Sequence, residues 1–342
     1  MLKRFNHGFM LVIFLSVFFF FVLPITPSFA QSNLESESFP IKPIRVIVPS
    51  TVGGGLDLLV RMLGAKFTQE WGQPVVVDLR SGASGIIGSE VVAKAAPDGY
   101  TLLAAAAAYA LNPLLFAKLP YDTLKDFERI TIMGFGPNVL VVNASFPVYS
   151  VKELIQLAKK MQGTVNFASS GTGSSSYQSA VLFMRMANIK MAHVAYKGAG
   201  ASAGAVITGE VPLIFSAASN VMPMIQAKRL RPIAVTSPKR MSLFPNVATV
   251  AETLPGFEVQ NFFGLLAPAK TPKSVTEKIQ VSFKSYLMQN EIKDRLRDLG
   301  FVPGGETSEE FTKYVKSEMT KWAVVFKDLN MKPDSLVSQR LS

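Results

Sequence analysis

The feature that most limits this chain's fold is a repeated order: a short β-branched run, a glycine-rich break, then a stretch with helical spacing. Residues 44–48 read Ile-Arg-Val-Ile-Val and stop at Pro49, and Gly53, Gly54 and Gly55 follow. Residues 57–70 then place Leu58, Leu59, Met62, Leu63 and Phe67 on one side of a predicted helix. Residues 74–78 form a second strand, 82–85 a turn, 86–94 a second helix, Pro97-Asp98-Gly99 a turn and 100–106 a third strand. Strand, glycine loop, helix and strand is the βαβ order of an open parallel sheet.

The order returns further along. Strands are expected at 138–142, 165–168, 191–195, 211–216, 230–235 and 259–266, and helices at 150–161 and 175–187. The C-terminal part reads as helical over 274–289, 291–299 and 308–330. Ser274 precedes Glu277 by three, which predicts a capping box, whereas Ser308 has Phe311 at that position. Two α/β units in tandem predict two lobes: residues 40–142 with 259–342, and residues 143–258. The helical tail has no sheet of its own and is expected to cover the first lobe. The chain would then cross between lobes near Val142-Asn143 and again near residues 259–263.

The N-terminus sets the compartment. Lys3 and Arg4 precede an apolar run, Pro24 and Pro27 break it, and Ser28-Phe29-Ala30 supplies small residues for cleavage. That is the order of a secretory signal peptide over residues 1–30, so a periplasmic location is expected. Zero cysteines exclude disulfides, thiolate chemistry and cysteine–zinc sites. Removal of Lys3 and Arg4 leaves 33 basic against 24 acidic residues, about +9. The basic residues are dispersed and lack an aromatic stacking platform, so the field suits small anions rather than nucleic acid. Past residue 30 there is one histidine, His193, and no Gly-x-Ser-x-Gly elbow, so neither an enzyme nor a metal site is expected.

Ligands of open α/β sheets bind beyond the carboxyl ends of the strands, where this chain carries its glycine and serine loops. The run from Ser50 through Gly53, Gly54, Gly55 and Asp57 has two readings. Its N–H groups and the following helix dipole can approach an anion, or it is an ordinary tight turn with Asp57 as N-cap. The loops at Ala83-Ser84 and at Ser170, Thr172, Gly173 and Ser174 add neutral hydroxyl donors, and Ser174 reads as free of any structural role. Residues 104–108, with Tyr109 and Asn112 beyond, read either as a buried strand end or small-residue helix, or as an apolar wall that leaves room for a ligand.

Several ordered blocks resemble one family. They include Pro43-Ile44-Arg45-Val46-Ile47-Val48-Pro49, the triple glycine with Asp57 and Arg61, Gly82-Ala83-Ser84-Gly85, Pro97-Asp98-Gly99-Tyr100 and Tyr121-Asp122. His193-Val194-Ala195-Tyr196-Lys197-Gly198 and Pro245-Asn246-Val247-Ala248-Thr249 continue the series. Together they resemble the Bug-type receptors of tripartite tricarboxylate transporters. The resemblance implies a two-lobed type II periplasmic binding protein fold with a hinge, no cofactor and no catalysis. It also implies a monomer that takes a small carboxylate and delivers it to a large and a small integral membrane subunit. An orphan receptor that docks on a sensor kinase is the alternative. Carried over by position, the implied ligand set adds Ala108, Tyr109, Asn112, Tyr196, Gly198, Ser216 and Ser219 to the loops above. The chain departs from the family at Ser50 (usually aromatic), Tyr177 (usually His) and Lys228 (usually Gly). With no arginine in the glycine and serine loops, a mono- or dicarboxylate with an apolar body is favoured over a compact tricarboxylate.

Overall fold

The computed structural model describes residues 39–329, so the expected signal peptide lies outside the described residues. No helix among the described residues is long and apolar enough to cross a membrane. The first unit runs β1 (Ile44–Val48), α1 (Gly55–Trp71), β2 (Val75–Leu79), a 3-10 turn at Ala83–Gly85, α2 (Ile86–Ala93), β3 (Thr101–Ala105) and α3 (Ala107–Leu115). β4 (Phe127–Asn143) leads into α4 (Val151–Met161), β5 (Asn166–Ser169), α5 (Ser175–Ala187), β6 (Ala192–Ala195) and α6 (Ala199–Thr208). Then come β7 (Leu213–Ala217), α7 (Ala218–Gln226), β8 (Leu230–Val235), β9 (Ala248–Thr249) and β10 (Gln260–Pro268). The tail is α8 (Lys273–Leu287), α9 (Asn290–Asp298), β11 (Val302–Pro303) and α10 (Ser308–Asp328).

β1 is parallel to β2 and β3, as the βαβ order requires, while β10 lies antiparallel between β3 and β4. β5 is parallel to β6 and β7, and β7 and β8 flank the second half of β4 antiparallel. The seventeen-residue β4 therefore serves both sheets. Phe127 to Pro137 pairs with β10, and Asn138 to Asn143 pairs with β7 and β8. Apolar residues on both strand faces bury this ribbon: Ile132, Met133, Val139, Leu140, Val141 and Val142 are all at most 1% exposed. The tail closes over it. A Cβ on Gly264 of β10 would stand 2.2 Å from the Phe311 ring of α10, so only glycine lets that helix sit down.

Two end signals fall elsewhere than the sequence indicated. Pro272, with no side-chain bond, caps α8, so the Ser274–Glu277 box does not form. The box forms at α10 one residue earlier than the Ser308 frame, between Thr307 and Glu310. Thr307 is extended there and Ser308 is already helical, and only an extended residue aims its hydroxyl at the third N–H.

Lys228 follows the end of α7 with φ 56°. Its N–H donates to Ile225 O and the Arg229 N–H to Met224 O, so the left-handed turn is fixed by the helix end. A side chain there carries a left-handed penalty of about 1–2 kcal/mol. Lys228→Gly is expected to raise the urea midpoint, with a gain of about 0.5–1 kcal/mol after the glycine's extra chain entropy. An unchanged or lower midpoint would contradict it.

Candidate ligand-binding cleft

Five helices begin at one place. The N-cap residues of α1, α3, α5, α6 and α7 are Gly54, Ala106, Ser174, Gly198 and Ala217, and all five line a single cleft of about 500 Å³. Helices in proteins usually start on Ser, Thr, Asp or Asn, whose side chain takes up a free N–H. Here four of the five start on Gly or Ala with no side-chain cap bond. The positive ends of these helices therefore border the cleft without a cap from their own N-cap side chains. Among the described lining residues Lys197 alone carries a full charge, and none is acidic or an arginine. A cleft of this kind attracts anions and supplies donors to them.

The glycine loop after β1 resolves the two readings of Asp57. It is the third residue of α1, not its cap, and is 1% exposed. Its carboxylate accepts from the Gly53 N–H at 2.9 Å and from Arg61 Nε at 2.7 Å. Asp57 and Gly53 therefore shape the loop from behind, while Ser50, Gly54 and Gly55 line the cleft. Ala83 and Ser84 also line it, both with left-handed φ (45° and 55°), which turns the Ser84 hydroxyl toward the opposite wall. There Ser84 Oγ donates to Thr172 O at 2.9 Å, and Asn112 Nδ2 donates to Ser84 O at 3.2 Å.

Ser170, Thr172, Ser174, Ser216, Tyr196, Gly198, Ala108, Tyr109 and Asn112 reach the cleft as well. Gly173 and Ser219 do not line it. Gly173 packs against Leu115, where a Cβ would stand at 2.8 Å, and the Ser219 hydroxyl lies buried beside Gly55 without a partner among the described residues. Ser174 is not free of structural work: it caps α5, accepting from the Tyr177 N–H and donating to Gly171 O at 2.6 Å. A hydroxyl one turn before a helix cannot avoid that role when its backbone is extended.

The hydroxyls of the two tyrosines are bonded to protein groups. Tyr109 Oη donates to Thr123 O at 2.5 Å beside the Arg129 guanidinium, and burial holds its phenol well above the usual range. Tyr196 Oη donates to Glu210 at 2.8 Å; desolvation, then the Glu210 carboxylate, pushes that phenol up to about 12. His193 is not among the lining residues. It stacks on Phe167, leans on Tyr177 and bonds Ser169 Oγ at 2.6 Å, with Ser169 fully buried.

Among the lining residues outside the expected loops are Asn261 and Phe263, both on β10. Their signal was faint, a lone Asn inside the apolar run of residues 259–266, where an unpaired amide would be costly.

The model of the tripartite tricarboxylate transporter family receptor matches residues 59–331. The chain belongs to that family. BugT of Bordetella pertussis is 30% identical over 302 residues, covering 87% of this chain and 93% of BugT. Among solved structures, R. palustris Rpa4515 with adipate superposes with a TM-score of 0.83 at 31% identity, covering 86% of this chain and 99% of that one. MatC (Rpa3494) from Rhodopseudomonas palustris with bound malate gives 0.77 at 29% identity, covering 84% and 99%. This receptor is thus of the Bug type and has the two-lobed periplasmic binding protein fold.

Proposed function

We propose that this receptor captures a small organic carboxylate in the periplasm and hands it to the large and small membrane subunits of a tripartite tricarboxylate transporter. The observation that carries the reading is the convergence of five helix N-termini on a cleft whose described lining has one lysine and no acid. Adipate and malate in the similar structures support the ligand class. Residues 1–30 act as a cleaved export signal, and the receptor works as a monomer without cofactor or catalysis. We take the lobes to meet where β4 passes from β10 to β7 and β8, at Pro137-Asn138, and where β10 begins, at Gln260; the sequence reading put the crossings near 142–143 and 259–263. Closure about these two strands brings the opposing helix ends onto one anion.

Within the class, one or two carboxylates on an apolar body fit best. Tyr109, Tyr196 and Phe263 are among the lining residues, and a single lysine compensates a compact tricarboxylate poorly. Calorimetry on residues 31–342 with adipate, malate, benzoate and citrate tests the reading. Micromolar or better affinity, about −8 kcal/mol, is expected for at least one of the first three. Citrate binding tenfold tighter than every other acid would overturn the preference, and no binding by any of them would overturn the carboxylate reading.

A further inference from the structure

Asn261 sits on β10 opposite Gly136, is 9% exposed, and faces the cleft together with Phe263, its same-face neighbour two residues on. Its Oδ1 accepts from the Ala107 N–H at 2.9 Å in a buried contact. Ala107 is the first residue of α3, whose N-cap, Ala106, has no side chain able to cap. Asn261 therefore caps α3 from another strand, and that contact fixes which way round its amide lies. Flipping it would set an NH2 against an N–H and lose the bond. Nδ2 makes no hydrogen bond to any described protein group and is not among the buried orphan atoms, so it opens onto the cleft.

We infer that Asn261 is a specificity-determining residue of the cleft: its amide NH2, locked by the Ala107 N–H, donates to a carboxylate oxygen of the ligand while Phe263 packs against the ligand's apolar body. The inference rests on the carboxylate reading above. An acceptor gains a bond at this point and a cationic or amide N–H donor meets another donor, so the residue sorts ligands by the sign of their polar head. Aspartate is the informative replacement. It has the same shape and still accepts from the Ala107 N–H, but it turns a negative oxygen, not an NH2, toward the cleft.

The experiment is calorimetry on residues 31–342 as wild type, Asn261→Asp and Asn261→Ala, with adipate, malate and hexane-1,6-diamine as probes, alongside thermal melts. The wild type should bind adipate or malate. Asn261→Asp should weaken that binding at least thirtyfold and more than Asn261→Ala does, while melting closer to the wild type because it keeps the cap. The diamine should gain on the acids in Asn261→Asp. A role confined to capping predicts the reverse order, with the aspartate variant nearly normal and the alanine variant worst. That order, or acid affinity within threefold of wild type in Asn261→Asp, overturns the inference and leaves the carboxylate reading standing. Where the wild type binds neither, benzoate or citrate takes their place in the same comparison, and a wild type that binds none of the four acids overturns both.

Discussion

Gly198→Val is expected to fold and to bind adipate or malate several hundredfold more weakly than the wild type, if at all. Gly198 opens α6 with φ 94° and ψ 176°, a conformation essentially confined to glycine. A Cβ there would stand 2.7 Å from Thr51 Oγ1 and 2.8 Å from its Cγ2, on the loop after β1. Thr51 follows β1 and Gly198 follows β6, strands of different sheets, and both residues line the cleft, so added bulk holds the walls apart. The contact lies at the cleft rim and leaves both cores intact. Local strain and the cross-cleft clash separate in a second pair: Thr51→Trp carries the clash without the backbone strain and should also lose binding. Scattering from both variants with saturating acid should stay at the ligand-free, more extended form. Wild-type affinity in both would sink the account of closure.

The largest effect on stability is expected at Asp57→Ala. The carboxylate is buried and holds both the Gly53 N–H and the Arg61 guanidinium. Arg61 is half exposed and rehydrates when its partner goes, whereas the loop loses its only described side-chain anchor at Gly53. A loss of about 2–3 kcal/mol follows from removing a buried charge-assisted pair of bonds. For a chain of this size that is about 5 °C in Tm. Asp57→Asn keeps one acceptor and should fall roughly half as far. A melt within 1 °C of wild type for Asp57→Ala would show that the glycine loop holds its shape without this carboxylate.

The parts of the fold that sequence made legible are those written in local chemistry. Residues 44–48 are a strand to the residue, because a β-branched run that stops at Pro49 leaves little else to form; 230–235 is a strand to the residue as well, although Pro232 interrupts it. The glycine and serine loops after them were visible for the same reason. Asn261 and Phe263 were not, because a strand residue reaches a cleft only through the way two sheets are set, which no local pattern encodes. Gly173 and Ser219 have types that fit a donor loop but are not among the lining residues; Gly173 packs on Leu115 and Ser219 lies beside Gly55. Ser174 shows a third limit. A serine before a helix carries the same letters whether its hydroxyl faces a ligand or its own N–H groups. The Lys228 departure was legible as a departure, and only the φ of 56° gave it a physical meaning.

β4 gives the molecule a thermodynamic property as well as a shape. Its first eleven residues are zipped to β10 and its last six to β7 and β8, without a linker between the halves. Melting either sheet would strip one end of a continuous ribbon and expose the apolar residues next to the junction, Met133 on one side and Val139 on the other. The shared ribbon therefore couples the two sheets in unfolding, and the expected calorimetric result is one transition for both rather than two.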